Sequence, residues 1–327
     1  MRCPTLAELP PPPAGKTGWP WTIETPALPA SRADGSPWPR ISIVTPSYNQ
    51  GQFIEETIRS VLLQGYPDLE YIVIDGGSTD QSVEIIRKYE RWLTYWVSEK
   101  DRGQAHAINK GFSSVTGELF NWINSDDLLL PFSLRAVASA AGSGHAVAGN
   151  VINFGAGDPT VIRNHALSAP NLVLGNPDTS FHQPGFWMSP NHIRSINGID
   201  EQFNYVFDLD LIIRYLMKYP AVSYIGTNVA KFRLHPLSKT CSVPESFDEE
   251  RLSVYKNLLS RADCRPLHKY CRHRVQLYEW WRYLARITKS GRPGVARAAC
   301  ILWRILGNPQ VRFTRLSLGA IRRCLIS

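Results

Sequence analysis

Between Ile41 and Ile123 the chain alternates short apolar runs with helical periods, and that alternation constrains the fold more than any other feature. Ile41-Ser42-Ile43-Val44 reads as a strand, and Ile54, Ile58, Val61 and Leu62 then fall at helical spacing. Leu69 to Ile74 is a second β-rich run. It ends in Asp75-Gly76-Gly77-Ser78-Thr79-Asp80, where glycines supply the turn and Ser78, Thr79 or Asp80 can cap a helix carrying Val83, Ile86 and Tyr89. Trp92 to Val97 is a third strand, Ala105 to Phe112 a third helix, and Leu119 to Ile123 a fourth strand. Strand and helix in strict alternation with short connections predict an α/β domain, a mostly parallel sheet with helices on both faces.

The polar residues of this stretch gather where the strands end. Thr45-Pro46-Ser47-Tyr48-Asn49 follows the first, Asp75 the second and Asn124-Ser125-Asp126-Asp127 the fourth. In open α/β sheets ligands bind outside the carboxyl ends of the strands. Two adjacent carboxylates repel unless a cation sits between them, and a divalent ion holding a diphosphate answers that need. The chain has no G-x-G-x-x-G turn to hold a pyrophosphate, which favours a metal bridge. The plainer alternative is that Asp126 and Asp127 cap the segment opening at Pro131.

Beyond about residue 140 the pattern loosens. His145 to Phe154 reads as a strand, 155–180 as a loop or lid, Gln183 to Met188 as a further strand and Ala221 to Phe232 as a last one. In Asp208-Leu209-Asp210-Leu211-Ile212-Ile213-Arg214-Tyr215-Leu216 the apolar residues fall on one helical face with Asp208 in the first turn, where an acid also suits the helix dipole. Residues 1–39 hold Pro10 to Pro13 and further prolines at 20, 26, 29, 37 and 39, and are expected to form an extended, disordered leader. Gly15-Lys16-Thr17 lacks the upstream glycine and strand of a phosphate-binding loop and is set aside.

Five segments in order resemble the family 2 glycosyltransferases with the GT-A nucleotide-sugar-binding fold, over about Arg40 to Thr240. They are Thr45 to Gln50; Ile74 to Asp80; Asp101-Arg102-Gly103-Gln104 with Asn109-Lys110-Gly111; Asn124 to Asp127; and Asp208 to Leu211 with Arg214. Phe232-Arg233-Leu234-His235 with Ser238-Lys239-Thr240 is similar to members acting on bacterial surface polysaccharides. The resemblance implies an inverting transfer from a UDP- or dTDP-linked sugar to a glycan or lipid-linked acceptor. It also implies donor binding by Thr45, Pro46, Ser47, Tyr48, Asp75, Arg102, Gln104, Asn109, Asn124 and Asp126, with Asp75 taking the N–H of a uracil-like base. Mg2+ or Mn2+ would sit on Asp126, Asp127 and His235, and Asp208 would be the general base. Asn124 stands where the family's metal motif has its first carboxylate, and Phe207 where many members have Glu. A catalytically inactive sugar-nucleotide-binding subunit is therefore the alternative.

Charge divides the chain. Residues 261–327 carry 15 Lys/Arg against Asp263 and Glu279, a net +13, whereas 1–260 carry 21 basic and 26 acidic residues, a net −5. The expected organisation is a leader at 1–39, a catalytic domain at 40–245 and a basic helical extension at 246–327. Tyr278, Trp280, Trp281, Leu284 and Ile287, then Ile301, Leu302, Trp303, Ile305 and Leu306, are interleaved with arginines. Val311 to Ile326 repeats the pattern with Arg312, Arg315, Arg322 and Arg323. Such amphipathic helices suit an anionic membrane surface. The acidic body argues against a nucleic-acid partner, the third reading that the basic tail raises. Six scattered cysteines form no disulfide framework, and no secretory signal opens the chain, so the expected location is the cytoplasm or the inner face of the cell membrane. Cys264, His268, Cys271 and His273 are too tightly spaced for a common zinc site.

Overall fold

In the computed structural model the apolar runs become two sheets. β1 (Ile41–Ser47), α1 (Ile54–Leu62), β2 (Leu69–Asp75), α2 (Ser82–Tyr89), β3 (Tyr95–Ser98), α3 (Gln104–Phe112) and β4 (Leu119–Trp122) alternate as the sequence predicts. All pairings in this first sheet are parallel, in the order β3-β2-β1-β4. Its two long strands are buried along their whole length, so they are apolar runs rather than alternating ones. The third strand starts at Tyr95 because Glu90–Trp92 close a 3-10 turn after α2. The structure describes residues 1–142, 146–236, 238–239, 244–288, 290, 293–306 and 315–326. His145, Thr240, Cys241, Val311 and Arg312, and the side chains of Arg315 and Arg323, lie outside that description.

The second half of this unit builds a mixed sheet around the strands expected over 145–154, 183–188 and 221–232, with two short strands that the sequence pattern did not announce. β5 (Leu128–Leu129), α4 (Ser133–Ala140), β6 (Ala146–Phe154), β7 (Thr160–Ile162), α5 (Ala169–Leu174), β8 (Phe186–Trp187), α6 (Pro190–Arg194), α7 (Phe207–Lys218) and β9 (Val222–Arg233) follow in turn. The strands run β5-β9-β6-β7 with β8 also on β6, and only β6 and β9 are parallel. Phe120 and Met188 exchange main-chain hydrogen bonds of 2.8 and 2.9 Å, which joins the two sheets. The segment 155–180, expected as loop, contains β7 and α5. Ser168 caps α5 by accepting the Asn171 N–H, and Gly175 ends it in the left-handed region. The strand expected from Gln183 to Met188 shrinks to β8, because Gln183–Gly185 form a 3-10 turn.

The leader departs most from expectation. Cys3, Leu9 and Trp21 are buried, and the Cys3, Thr25 and Leu28 amides bond to Tyr66, Leu63 and Gly65 at 2.8, 3.0 and 2.8 Å. Proline does block helix here, but it leaves main-chain carbonyls in want of donors, and Arg59 of α1 supplies them. Its guanidinium, wholly buried, donates to the carbonyls of Pro10, Pro20 and Trp21 at 2.8–3.0 Å and to the Tyr89 hydroxyl at 3.1 Å. The leader passes so close to the turn after α1 that a Cβ on Gly65 (φ +61°) would stand 2.4 Å from the Pro26 carbonyl oxygen. Residues 1–39 are thus an ordered strap rather than a disordered tail.

The chain divides into two units, Met1–Phe247 and Asp248–Ser327. α8 (Pro244–Ser260) spans that division; α9 (His268–Thr288), α10 (Gly294–Leu306) and α11 (Arg315–Ile326) make up the rest of the second unit. Trp280, Leu284, Ala298, Ile301, Ile305, Ala320 and Cys324 form a core of their own there. Among the described residues no helix is long and apolar enough to cross a membrane.

Candidate active site

Register alone brings the first three strand ends together: Ser47 lies beside Asp75, and Asp75 beside Ser98. The Asp75 carboxylate is buried inside the turn that follows it. It accepts the Gly77 and Ser78 amides at 3.1 and 2.8 Å and the Ser78 and Ser98 hydroxyls at 2.5 and 2.7 Å. The base-binding oxygen expected of Asp75 therefore shapes the turn and does not face the solvent. Asn49, at φ 51°, ties this turn to the first: its N–H bonds to the Ser78 hydroxyl at 2.8 Å, and its side-chain oxygen accepts the Thr79 amide at 2.9 Å. Gly76 is required by the approach of Asp101, whose Oδ2 would stand 2.5 Å from a Cβ there.

Around this scaffold the expected donor residues split. The Thr45 hydroxyl is spent on Tyr71 at 3.0 Å, and Pro46 is buried. The Ser47 hydroxyl is buried and has no hydrogen-bond partner in the protein. Tyr48, 60% exposed, presents an aromatic face at the mouth of the strand ends.

The two carboxylates after β4 meet opposite fates. Asp127 is 1% exposed; its Oδ1 accepts the Arg233 amide at 2.9 Å and its Oδ2 the Asn124 side-chain amide at 3.0 Å. Burial first, and the charge of Asp126 second, push its carboxyl well above the usual range. Both Asp127 oxygens thus take part in a brace between the β4 turn and β9, and of the two carboxylates Asp126 is the more accessible. Asp126 is only partly buried, and its Oδ2 lies 3.0 Å from Nε2 of His235. Arg233 closes the group. It donates to the Asp126 carbonyl at 2.8 Å and to Glu56 at 2.7 Å, with its guanidinium 4.7 Å from the Phe53 ring and 4.4 Å from that of Phe154. Phe53 also packs at 4.8 Å on the His235 ring.

Asn124 is part of the same brace, since its oxygen accepts Gln104 Nε2 at 2.7 Å. An aspartate at 124 would set a second carboxylate against the buried Asp127. Asn124→Asp is expected to lose about 2–4 kcal/mol of stability at neutral pH by like-charge repulsion and the lost amide donor. The deficit should shrink on acidification, because a carboxyl whose folded pKa is raised holds its proton in the native state before the unfolded one does. Urea unfolding between neutral pH and pH about 5 checks both signs.

Asp208 stands in the first turn of α7, half-buried, with Oδ1 accepting the Leu209 amide at 2.7 Å. The preceding Phe207 lies 6.0 Å from the Trp122 ring at the end of β4, so α7 opens beside the strand that leads to the acidic turn. Asp210, two residues on, is fully buried and bonds Arg214 at 2.7 Å; Arg214 goes on to the Ile196 and Gly198 carbonyls at 2.6 and 2.8 Å. Two expected donor residues are engaged elsewhere. Arg102, 71% exposed on its side chain, pairs with Glu201 at 2.6 Å, and Asn109 donates to Glu201 and to the Ile199 carbonyl at 3.0 and 2.9 Å. Burial opposes ionisation of Glu201, but the bonds from Asn109 and Arg102 outweigh it and hold its carboxyl below the usual range. Together they clasp α3 to the segment before α7. Ser98, Asp101, Glu56, Phe53 and Glu201 escape single-residue reading, because each acquires its role through a partner distant in sequence.

A pair made of one carboxylate and one imidazole fits a divalent ion that takes its remaining ligands from a bound diphosphate. Among the described residues no cluster of three or more Asp, Glu, His or Cys with metal-site geometry occurs.

The comparisons with known proteins agree with this geometry. Two packed sheets with a polar edge at the carboxyl ends of the parallel strands make up the GT-A glycosyltransferase fold, and solved members superpose on it. Residues 1–349 of S. aureus TarS in complex with UDP-GlcNAc match with a TM-score of 0.59 at 17% identity, over 73% of this chain and 71% of that one. The mannosyltransferase PcManGT from Pyrobaculum calidifontis, in complex with GDP-Man and Mn2+, matches with a TM-score of 0.53 at 17% identity, over 98% and 89%. A model of the family described as Glycosyl transferase family 2 matches residues 42–197. An uncharacterized glycosyltransferase of Mycobacterium tuberculosis is 31% identical over 181 residues, which are 54% of this chain and 68% of that protein. A Bacillus subtilis protein named for teichuronic acid biosynthesis, TuaG, is 37% identical over 92 residues, 27% of this chain and 36% of its own length. The chain belongs to glycosyl transferase family 2.

Proposed function

We propose that this chain is an inverting glycosyltransferase that moves a sugar from a UDP- or dTDP-linked donor to a glycan or lipid-linked acceptor. The observation that supports it is the Asp126–His235 pair, 3.0 Å apart, in the turn after β4 of the parallel sheet, the strand against whose Trp122 the Asp208 helix packs through Phe207. The base would rest against the exposed Tyr48 ring and the β1 turn. Asp126 and His235 would hold a divalent ion, Mg2+ or Mn2+, which when bound supplies Lewis-acid neutralisation of the diphosphate. Asp208 takes the proton from the acceptor hydroxyl as that oxygen bonds to the anomeric carbon and the nucleoside diphosphate departs from the opposite face. A single displacement of this kind inverts the anomeric centre. Asn124 gives no support to an inactive subunit, since its amide serves the brace to Asp127. A carbohydrate polymer of the bacterial surface as acceptor is in keeping with the name of the TuaG relative. A lipid-linked one would place the reaction at the cytoplasmic face of a membrane.

The test is release of nucleoside diphosphate from a panel of sugar nucleotides with Mn2+ or EDTA, together with calorimetry of UDP against wild type, Asp126→Ala and His235→Ala. UDP affinity should fall by about tenfold or more in EDTA and in either variant. No turnover with any donor would defeat the proposal. Affinity indifferent to EDTA and to both substitutions would remove the metal-holding role of the pair.

A further inference from the structure

The outward face of α10 is apolar where a surface helix should be polar. Ala298, Ile301 and Ile305 point into the core of the helical unit. On an adjoining face Val295, Ala299, Leu302, Trp303 and Leu306 are all exposed, Trp303 by 79%. Their spacing of three, four and seven residues makes one stripe along the helix. Leu318 of α11 and Trp281 of α9 are exposed apolar residues of the same unit, with exposed basic residues four positions on at Arg322 and one position on at Arg282. The two tryptophans that the sequence places together part company here: Trp280 enters the core, where its indole donates to Ser317 at 3.0 Å, while Trp281 remains outside.

Charge says what covers this face. From Trp280 onward the sequence carries ten Lys/Arg and no Asp or Glu. A second copy of the chain meeting this stripe with its own would bring two such basic surfaces together without a compensating acid. A bilayer containing anionic lipid meets both demands, since it accepts the leucines and the indole at the acyl boundary and the guanidinium groups at the headgroups. We infer that the Val295–Leu302–Trp303–Leu306 face of α10 is a membrane-docking surface for anionic lipid. This inference is independent of the transfer chemistry and concerns where the enzyme meets its acceptor.

Full-length protein is sedimented with vesicles of phosphatidylcholine alone and of phosphatidylcholine mixed with phosphatidylglycerol, at low and high salt. Binding is expected to the anionic vesicles only, and to weaken with salt. Leu302→Asp with Trp303→Asp should reduce it by at least about tenfold. Arg282→Gln with Arg322→Gln should reduce it less and flatten its salt dependence. These four side chains are exposed, so circular dichroism and donor turnover in vesicle-free buffer should match wild type; Trp303→Ser alone serves if the double aspartate variant unfolds. Wild type remaining in the supernatant with anionic vesicles at low salt overturns the inference. So does undiminished binding of the Leu302 and Trp303 variants. A dimer in sedimentation velocity that those variants dissociate, without vesicle binding, would assign the face to a second copy instead.

Discussion

Asp208→Asn is expected to lower turnover by at least ~10²-fold while UDP affinity stays within about twofold of wild type. The amide keeps the size of the carboxylate and can still accept the Leu209 N–H at the start of α7, so the helix should open as before. What it cannot do is take a proton from the acceptor hydroxyl. Asp210→Asn should behave in the opposite sense. Its carboxylate is buried against Arg214, which in turn holds the Ile196 and Gly198 carbonyls, so that variant loses stability rather than chemistry. Single-turnover kinetics beside thermal unfolding separates the two. Near-normal turnover of Asp208→Asn would move the base elsewhere.

Arg59→Met should cost about 3–5 kcal/mol and release the leader. Methionine retains much of the packing volume but abandons three main-chain carbonyls and the Tyr89 hydroxyl, all brought to one buried guanidinium. Each buried acceptor left without a donor costs about 1–3 kcal/mol, and partial access of water to the Pro10 carbonyl keeps the sum below the full total. Urea unfolding reports the loss, and limited proteolysis should cut within residues 1–39 of the variant well before the wild type. Equal protection of the leader in both proteins would show that Cys3, Leu9 and Trp21 hold it without Arg59.

Much of the parallel sheet was legible because its signals are local. The run Ile41–Val44 and the spacing of Ile54, Ile58, Val61 and Leu62 need no distant partner to be read, and each of those residues is wholly or almost wholly buried as its period implies. The polar strand ends were legible for the same reason. The second sheet was less so: β6 and β9 pair across nearly 80 residues, and nothing within either strand names the other. The leader was misread because proline density reports what a segment cannot form by itself. It is silent on a buried arginine in the following helix.

The carboxylates draw the line most sharply. Sequence by itself determined that acids would stand at the ends of β2 and β4 and at the start of α7, since strand and helix periods place them there. Only the tertiary structure decided that Asp126 meets His235, that the adjacent Asp127 is buried under the Arg233 amide, and that Arg102 and Asn109 spend themselves on Glu201. Backbone period is a property of neighbours, whereas the charge and exposure of a side chain depend on groups that folding brings from about a hundred residues away.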